Sequence, residues 1–223
     1  MNQQTLKAPF TLEGKGLHSG INIKATFKPA PANHGYKFKR VDLEGEPVID
    51  ALAENVVDTA RGTVLGRGDV RVSTVEHALA ALFASGVDNC LIEVDGPEVP
   101  ILDGSGIRFI EEIEKVGLEE QDHDKDFYII KQKTQLHDPE TGSTITIYPE
   151  ENFSVETMVE YNSPVLPNQF AVLDDLAEFK EEVAGARTFV FVREIEELMK
   201  HGLIKGGDLD NAIVIYDRET TQE

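Results

Sequence analysis

Cysteine is almost absent from this chain: Cys90 is the only one, so no disulfide can form within it. The thiol sits in the apolar run Cys90-Leu91-Ile92-Glu93-Val94, where a cysteine serves as a small core residue rather than a nucleophile. Long apolar runs are missing too. No stretch approaches the ~20 residues that a membrane-spanning helix needs, which excludes a helical span. The opening Met1-Asn2-Gln3-Gln4-Thr5-Leu6-Lys7 has no basic region, apolar run or small-residue cleavage site, so no secretory signal is read there and a cytoplasmic location is expected. Positive charge is scarce, with 21 basic against 41 acidic residues and a formal net charge of −20. Such a field repels phosphate backbones and anionic surfaces, so nucleic acid is not an expected partner. A small anionic substrate stays compatible, because a few local cations and backbone amides outweigh distant, screened charge.

What is present suits a globular protein: 40% hydrophobic and 28% charged residues over 223 positions, enough for one large domain or two small ones. After the turn Gly16-Leu17-His18-Ser19-Gly20, the apolar Ile21, Ile23, Ala25 and Phe27 alternate with polar residues, which predicts a strand pair ending at Lys28-Pro29-Ala30-Pro31. Tyr36 to Arg40 and Cys90 to Val94 read as further strands. Ser73-Thr74-Val75-Glu76 has the S-x-x-E form of a capping box, so a helix is expected to begin there, with Val75, Leu79 and Leu82 inside and Gly86 at its end. A second amphipathic helix carries Ile107, Ile110, Ile113 and Val116.

The charged run Glu119 to Asp126 offers almost nothing to bury and marks a boundary. It divides the chain into a first α+β domain at 1–118, an acidic linker at 119–126 and a second α+β domain at 127–223. In the second, Phe127 to Ile130, Thr144 to Tyr148 and the alternating Phe153, Val155, Thr157, Val159 and Tyr161 predict an antiparallel sheet. Helices are expected around Leu173 to Val183 and Arg193 to His201, then a buried strand from Ala212 to Tyr216. With no covering element after that strand, the second domain reads as truncated at its C-terminus.

Few residues carry chemistry on spacing alone. Glu76 and His77 set a carboxylate that could serve as a general base beside an imidazole that could bind a metal. The same spacing also fits a simple helix cap, with Glu76 the partner of Ser73 and His77 a first-turn residue. A catalytic zinc needs three protein ligands, and no other histidine stands at metal-motif spacing from His77. His18 lies on a glycine-rich turn whose amides could meet an anion, or which could be a plain hairpin turn. Lys205-Gly206-Gly207-Asp208 lacks the spacing of a P-loop and reads as a turn.

Taken in order, these segments resemble the UDP-3-O-acyl-N-acetylglucosamine deacetylases, the zinc amidases of lipid A biosynthesis. The resemblance runs from Thr5 to Asp217 and rests on Gly14-Lys15-Gly16-Leu17-His18-Ser19-Gly20, Ser73-Thr74-Val75-Glu76-His77, Asp88-Asn89 through Asp103-Gly104-Ser105, Ala186-Arg187-Thr188-Phe189 and Gly206-Gly207 through Asp210-Asn211-Ala212. It implies two related domains, each an antiparallel-rich sheet packed on helices, with the helices sandwiched between the sheets. It also implies that His77 is a zinc ligand, that Glu76 is the general base and that the Thr188 hydroxyl stabilises the oxyanion. Leu17, Phe189, Phe191 and Gly207 are placed by the substrate or its acyl passage, with His18 and Tyr161 near the sugar nucleotide.

The family's other two zinc ligands, in a His-Lys-x-x-x-Asp segment, and an assisting histidine have no counterpart before Glu223. The chain on its own is therefore expected to hold zinc weakly and to be inactive. The acidic balance and the run from Asp210 to Tyr216 are similar to deacetylases fused to a 3-hydroxyacyl-carrier-protein dehydratase, so a fused or associated dehydratase is an expected partner. The competing reading is a non-catalytic module that binds a sugar nucleotide on the same scaffold.

Overall fold

Period-two burial builds the first sheet. The structure, a computed structural model, describes residues 1–217, so the last six positions of the 127–223 region lie outside the described residues. In chain order the first strands are β1 (Asn2–Leu6), β2 (Phe10–Lys15), β3 (Asn22–Pro29), β4 (Tyr36–Arg40) and β5 (Val48–Asp50). In β3, Ile23, Ala25 and Phe27 are wholly buried while Asn22 and Lys24 face out, as the alternation predicts; Ile21, just before the strand, is 52% exposed. A small three-stranded sheet follows, made of β6 (Val56–Asp58), β7 (Val64–Arg67) and β8 (Val70–Val72). Helix α1 (Glu76–Ala84), β9 (Cys90–Val94), α2 (Ile107–Val116) and β10 (Leu118–Asp124) complete this half.

The main sheet has the order β2-β3-β9-β4-β5; its pairs are antiparallel except β4 with β9. The apolar stripe of α2 (Phe109, Ile110, Ile113) and the buried Ala78, Ala81 and Leu82 of α1 form one core with Phe27, Phe38 and Ile92 from the sheet. Phe27 stacks on Phe10 at 4.7 Å and meets Phe109 edge-on at 5.8 Å. Each large side chain buried this way contributes about 1.5–3 kcal/mol.

The acidic stretch expected as a linker is mostly strand. β10 pairs antiparallel with β1, from Leu6 opposite Leu118 to Asn2 opposite Asp124. Charge hid it because the ladder is carried by backbone hydrogen bonds and two buried amide side chains, not by an apolar face. Gln3 and Asn89 are buried, and Gln121 joins them, accepting from Asn89 Nδ2 at 2.8 Å and donating to the Ala30 carbonyl at 2.9 Å.

The second half contains β11 (Thr134–His137), β12 (Thr144–Ile147), β13 (Val155–Val159), β14 (Gln169–Leu173), α3 (Phe179–Glu182), β15 (Phe189–Phe191), α4 (Val192–Lys200) and β16 (Ile213–Ile215). β11 pairs with β12 and β13 with β14 in antiparallel ladders, so the strands from Thr144 and from Val155 form as expected. Three expectations change. Phe127 to Ile130 makes no strand, and Tyr128 is 92% exposed. The helix expected from Leu173 is the end of β14, a 3-10 turn at Leu176–Glu178 and the single turn of α3. The strand Ala212 to Tyr216 is three residues long, pairs parallel with β15 alone and is largely exposed rather than buried. The whole is an α+β protein rich in antiparallel pairs. The halves meet where Ala184, buried in the first core, accepts from the Gly106 amide at 2.9 Å.

Candidate active site

Helix α1 begins at Glu76, two residues later than the capping-box spacing predicts. Ser73 is held instead by the loop after β9: its amide and its hydroxyl both donate to the Pro97 carbonyl, at 2.9 and 3.1 Å. Thr74 then takes a left-handed φ of 57°, and Val75 stands at the N-cap with no side-chain cap bond. Glu76 is thereby released from capping. Its Oε2 accepts the Thr63 amide at 2.9 Å, while Oε1 faces the backbone of Gly62, where an added Cβ would lie 3.4 Å away.

His77 is half-buried beside it. Burial holds its imidazole below the ordinary range, against the opposing pull of Glu76, Asp103 and the backbone carbonyl of Ser105. A neutral ring is the form in which histidine binds metals. The residues present thus fit one donor of a metal site. Among the described residues no group of three or more His, Cys, Asp or Glu side chains could enclose an ion.

The turn bearing His18 does not keep its amides free for an anion. Glu98, only 1% exposed, fills it: Oε1 accepts the His18 amide at 2.9 Å and Oε2 the Ser19 amide at 2.8 Å, with the Thr74 hydroxyl donating to Oε1 at 2.8 Å. The His18 ring is set by two further bonds, its Nε2 to the Arg61 carbonyl at 3.1 Å and its Nδ1 accepting the Ile204 amide at 3.4 Å. Its Nε2 stands 3.7 Å from the same Cβ position at Gly62 that faces Glu76, so the two side chains converge there.

The turn Asp103-Gly104-Ser105 joins His77 to the second half. The Gly104 carbonyl accepts the Thr188 amide at 2.8 Å, and the Asp103 carbonyl accepts Nε of Arg187 at 2.7 Å. Thr188, Phe189, Leu17, His18 and Gly207 all line one cavity of about 410 Å³, together with apolar residues of α4 and the loop after it, among them Leu198 and Leu203, and with the charged Arg61, Lys205 and Asp208. Phe191 and Tyr161 lie behind the wall, packed edge-on with Phe189 at 5.9 and 5.5 Å. Glu76 and His77 are outside the lining and approach it across Gly62 and His18.

Sequence reasoning passed over Glu98 and the loop 61–63. A glutamate between Pro97 and Pro100 carries no mark of burial, and Arg61-Gly62-Thr63 reads as an ordinary polar turn. The available signal was Gly96-Pro97 ahead of a lone acid in an otherwise apolar segment.

A carboxylate and a half-buried imidazole thus share a helix start in an α+β protein, with a threonine across a backbone turn on the wall of a cavity. A family model described as UDP-3-O-acyl N-acetylglycosamine deacetylase matches residues 3–223, and the chain belongs to that family. It is 61% identical over 223 residues to the bifunctional enzyme LpxC/FabZ of Bacteroides thetaiotaomicron, across 100% of this chain and 48% of that protein. It is 59% identical over 221 residues to the protein of the same name from Porphyromonas gingivalis, again across 48% of it. Against the UDP-3-O-acyl-N-acetylglucosamine deacetylase of Myxococcus xanthus it is 43% identical over 215 residues, 96% of this chain and 68% of that protein. The chain thus spans about half the length of its bifunctional relatives.

Proposed function

We propose that this chain supplies the Glu76, His77 and Thr188 part of a deacetylase that hydrolyses the acetamide of UDP-3-O-(3-hydroxyacyl)-N-acetylglucosamine in lipid A biosynthesis. The observation that carries the reading is the convergence of Glu76 and His18 on Gly62 beside an apolar cavity that also bears Thr188, in a chain of this family.

Glu76 accepts the proton of the water that adds to the acetamide carbonyl. Its Oε2 is engaged by Thr63, which leaves Oε1 for that proton. The Thr188 hydroxyl donates to the oxyanion that develops. As the carbon–nitrogen bond breaks, the proton held on Glu76 passes to the departing nitrogen, so the amine and acetate leave and the carboxylate is restored. His77 holds one coordination position of a zinc ion, which when bound supplies Lewis-acid polarisation and a more acidic water. The remaining ligands are contributed from outside the described residues. The cavity of about 410 Å³ takes the acyl chain along Leu17, Phe189 and Gly207, with Phe191 packed behind Phe189, and His18 and Tyr161 serve the sugar nucleotide. In this reading residues 1–118 carry the base and the metal ligand, and 127–223 the hydroxyl and most of the cavity wall. The reaction is assigned to the cytoplasm, and the names of the bifunctional relatives support a fused dehydratase.

The test is acetate release from the acylated UDP-sugar by protein expressed from the complete open reading frame, with and without zinc. Zinc-dependent release that Glu76→Gln abolishes is the expected result. Substrate binding by calorimetry with no release under any metal would replace the enzyme with a binding module.

A further inference from the structure

Three consecutive residues join Glu76 to His18. The Arg61 carbonyl accepts from His18 Nε2 at 3.1 Å, the Gly62 backbone lies between Glu76 and His18, and the Thr63 amide donates to Glu76 Oε2 at 2.9 Å. The loop has no packed core of its own to hold it there; Arg61 and Gly62 are exposed or half-exposed. Arg61 also takes a left-handed φ of 61°, a conformation that a long side chain adopts only where its surroundings impose it.

The second half of the chain reaches this residue through its side chain. The Arg61 guanidinium forms a two-pronged ion pair with Glu194, Nη2 to Oε1 at 2.9 Å and Nη1 to Oε2 at 3.2 Å. Glu194 lies in the first turn of α4, where its Oε2 also accepts the Phe191 amide at 3.4 Å, so the carboxylate is fixed to the helix start before Arg61 arrives. The guanidinium beside it holds its carboxyl below the usual glutamate range, despite the opposing effect of partial burial. Arg61 is itself part of the cavity wall.

We infer that the Arg61–Glu194 ion pair is a clasp that fixes loop 61–63 across the site, making both residues positioning residues for Glu76 and His18. Helix α4 thereby sets the orientation of the carboxylate on α1 through one exposed pair and one three-residue loop. A planar bidentate pair is suited to this, since it fixes direction as well as distance. The catalytic part of the inference rests on the deacetylase reading; the clasp itself does not.

Two measurements separate them. Amide exchange on the 223-residue chain reads the clasp: the Thr63 amide is protected in the wild type, and Arg61→Ala and Glu194→Ala each lower its protection by about fivefold or more, the scale of one ion pair. The charge-reversed double variant R61E/E194R restores it. Deacetylation by the protein from the complete open reading frame reads the consequence: either single variant lowers kcat by roughly tenfold with a smaller change in KM, and the double reversal recovers kcat. Unchanged Thr63 protection in both single variants overturns the clasp, as does a double reversal no better than the sum of its parts. Lost protection with unchanged kcat overturns the positioning role. If the wild type shows no deacetylation, the functional reading fails while the exchange measurement still decides the clasp.

Discussion

The carboxylate of Glu98 accepts the backbone amide of His18 at 2.9 Å, and together they join the loop after β9 to the turn between β2 and β3. Because Glu98 is buried and also receives the Ser19 amide and the Thr74 hydroxyl, its removal leaves three donors without a partner, one buried and two part-buried. Glu98→Ala is expected to destabilise the fold by about 3 kcal/mol or more. By differential scanning calorimetry that is a fall in Tm of roughly 6–12 °C. A Tm within a degree of wild type would show that the donors find other partners.

Replacing the general base should separate chemistry from binding. Glu76→Gln keeps an acceptor for the Thr63 amide but takes no proton, so kcat should fall about 10²–10⁴-fold with KM little changed. Steady-state kinetics on the zinc-loaded protein checks this, and a selective rise in KM would argue for a binding role instead.

Gly104 combines two constraints that Gly35 splits. Its φ is +85°, and an added Cβ would lie 2.1 Å from the Asn211 carbonyl oxygen, whereas Gly35, at φ +66°, has nothing within 4 Å. Gly35→Ala should cost about 1 kcal/mol from conformation alone. Gly104→Ala must in addition push the Asn211 loop away, for a total of about 3 kcal/mol or more in urea unfolding. Equal losses for the two would mean that the 103–105 turn yields without disturbing the second half.

The clasp should have an acid limit. Arg61 lowers the folded-state pKa of Glu194 below its ordinary value of 4.5. A depressed carboxylate contributes its stabilisation above the unfolded value and loses it as pH falls through the folded value. Thr63 protection should therefore be constant from pH 7 to 5 and drop below about pH 4. Loss of protection between pH 7 and 6 would point to a histidine instead.

Cys90 is fully buried, and burial pushes its thiol up to about 12. It should resist iodoacetamide at pH 8 in the folded protein and react fully in guanidinium. Rapid labelling of the native protein would mean that β9 opens readily.

Periodicity carried the strands around Ile23, Phe38 and Ile92 and the helix of Ile107 to Val116, because each puts a regular apolar face on one core. It failed where backbone pairing or a single polar contact decides. β10 has no apolar face, Ser73 is captured by Pro97 before it can cap, and Glu98 looks like any loop acid until the turn closes on it. Glu76, His77 and Thr188 were legible only through the order of the motifs around them. Where Thr188 lies depends on a contact with a residue far away in the chain, its amide donating to the Gly104 carbonyl.

The pairing of β1 with β10 has a consequence for how the chain is made. Asn2 and Leu6 find their partners only at Asp124 and Leu118, so the N-terminal strand emerges from the ribosome long before anything exists to receive it. During that wait Gln3, Gln4 and Thr5 keep the segment hydrated, and the strand that eventually docks brings Glu119, Glu120, Asp122 and Asp124, whose mutual repulsion discourages pairing with another copy. The acidity that concealed β10 in the sequence thus acts as a safeguard for the nascent chain, and slow N-terminal docking should be the last step of refolding in the first half.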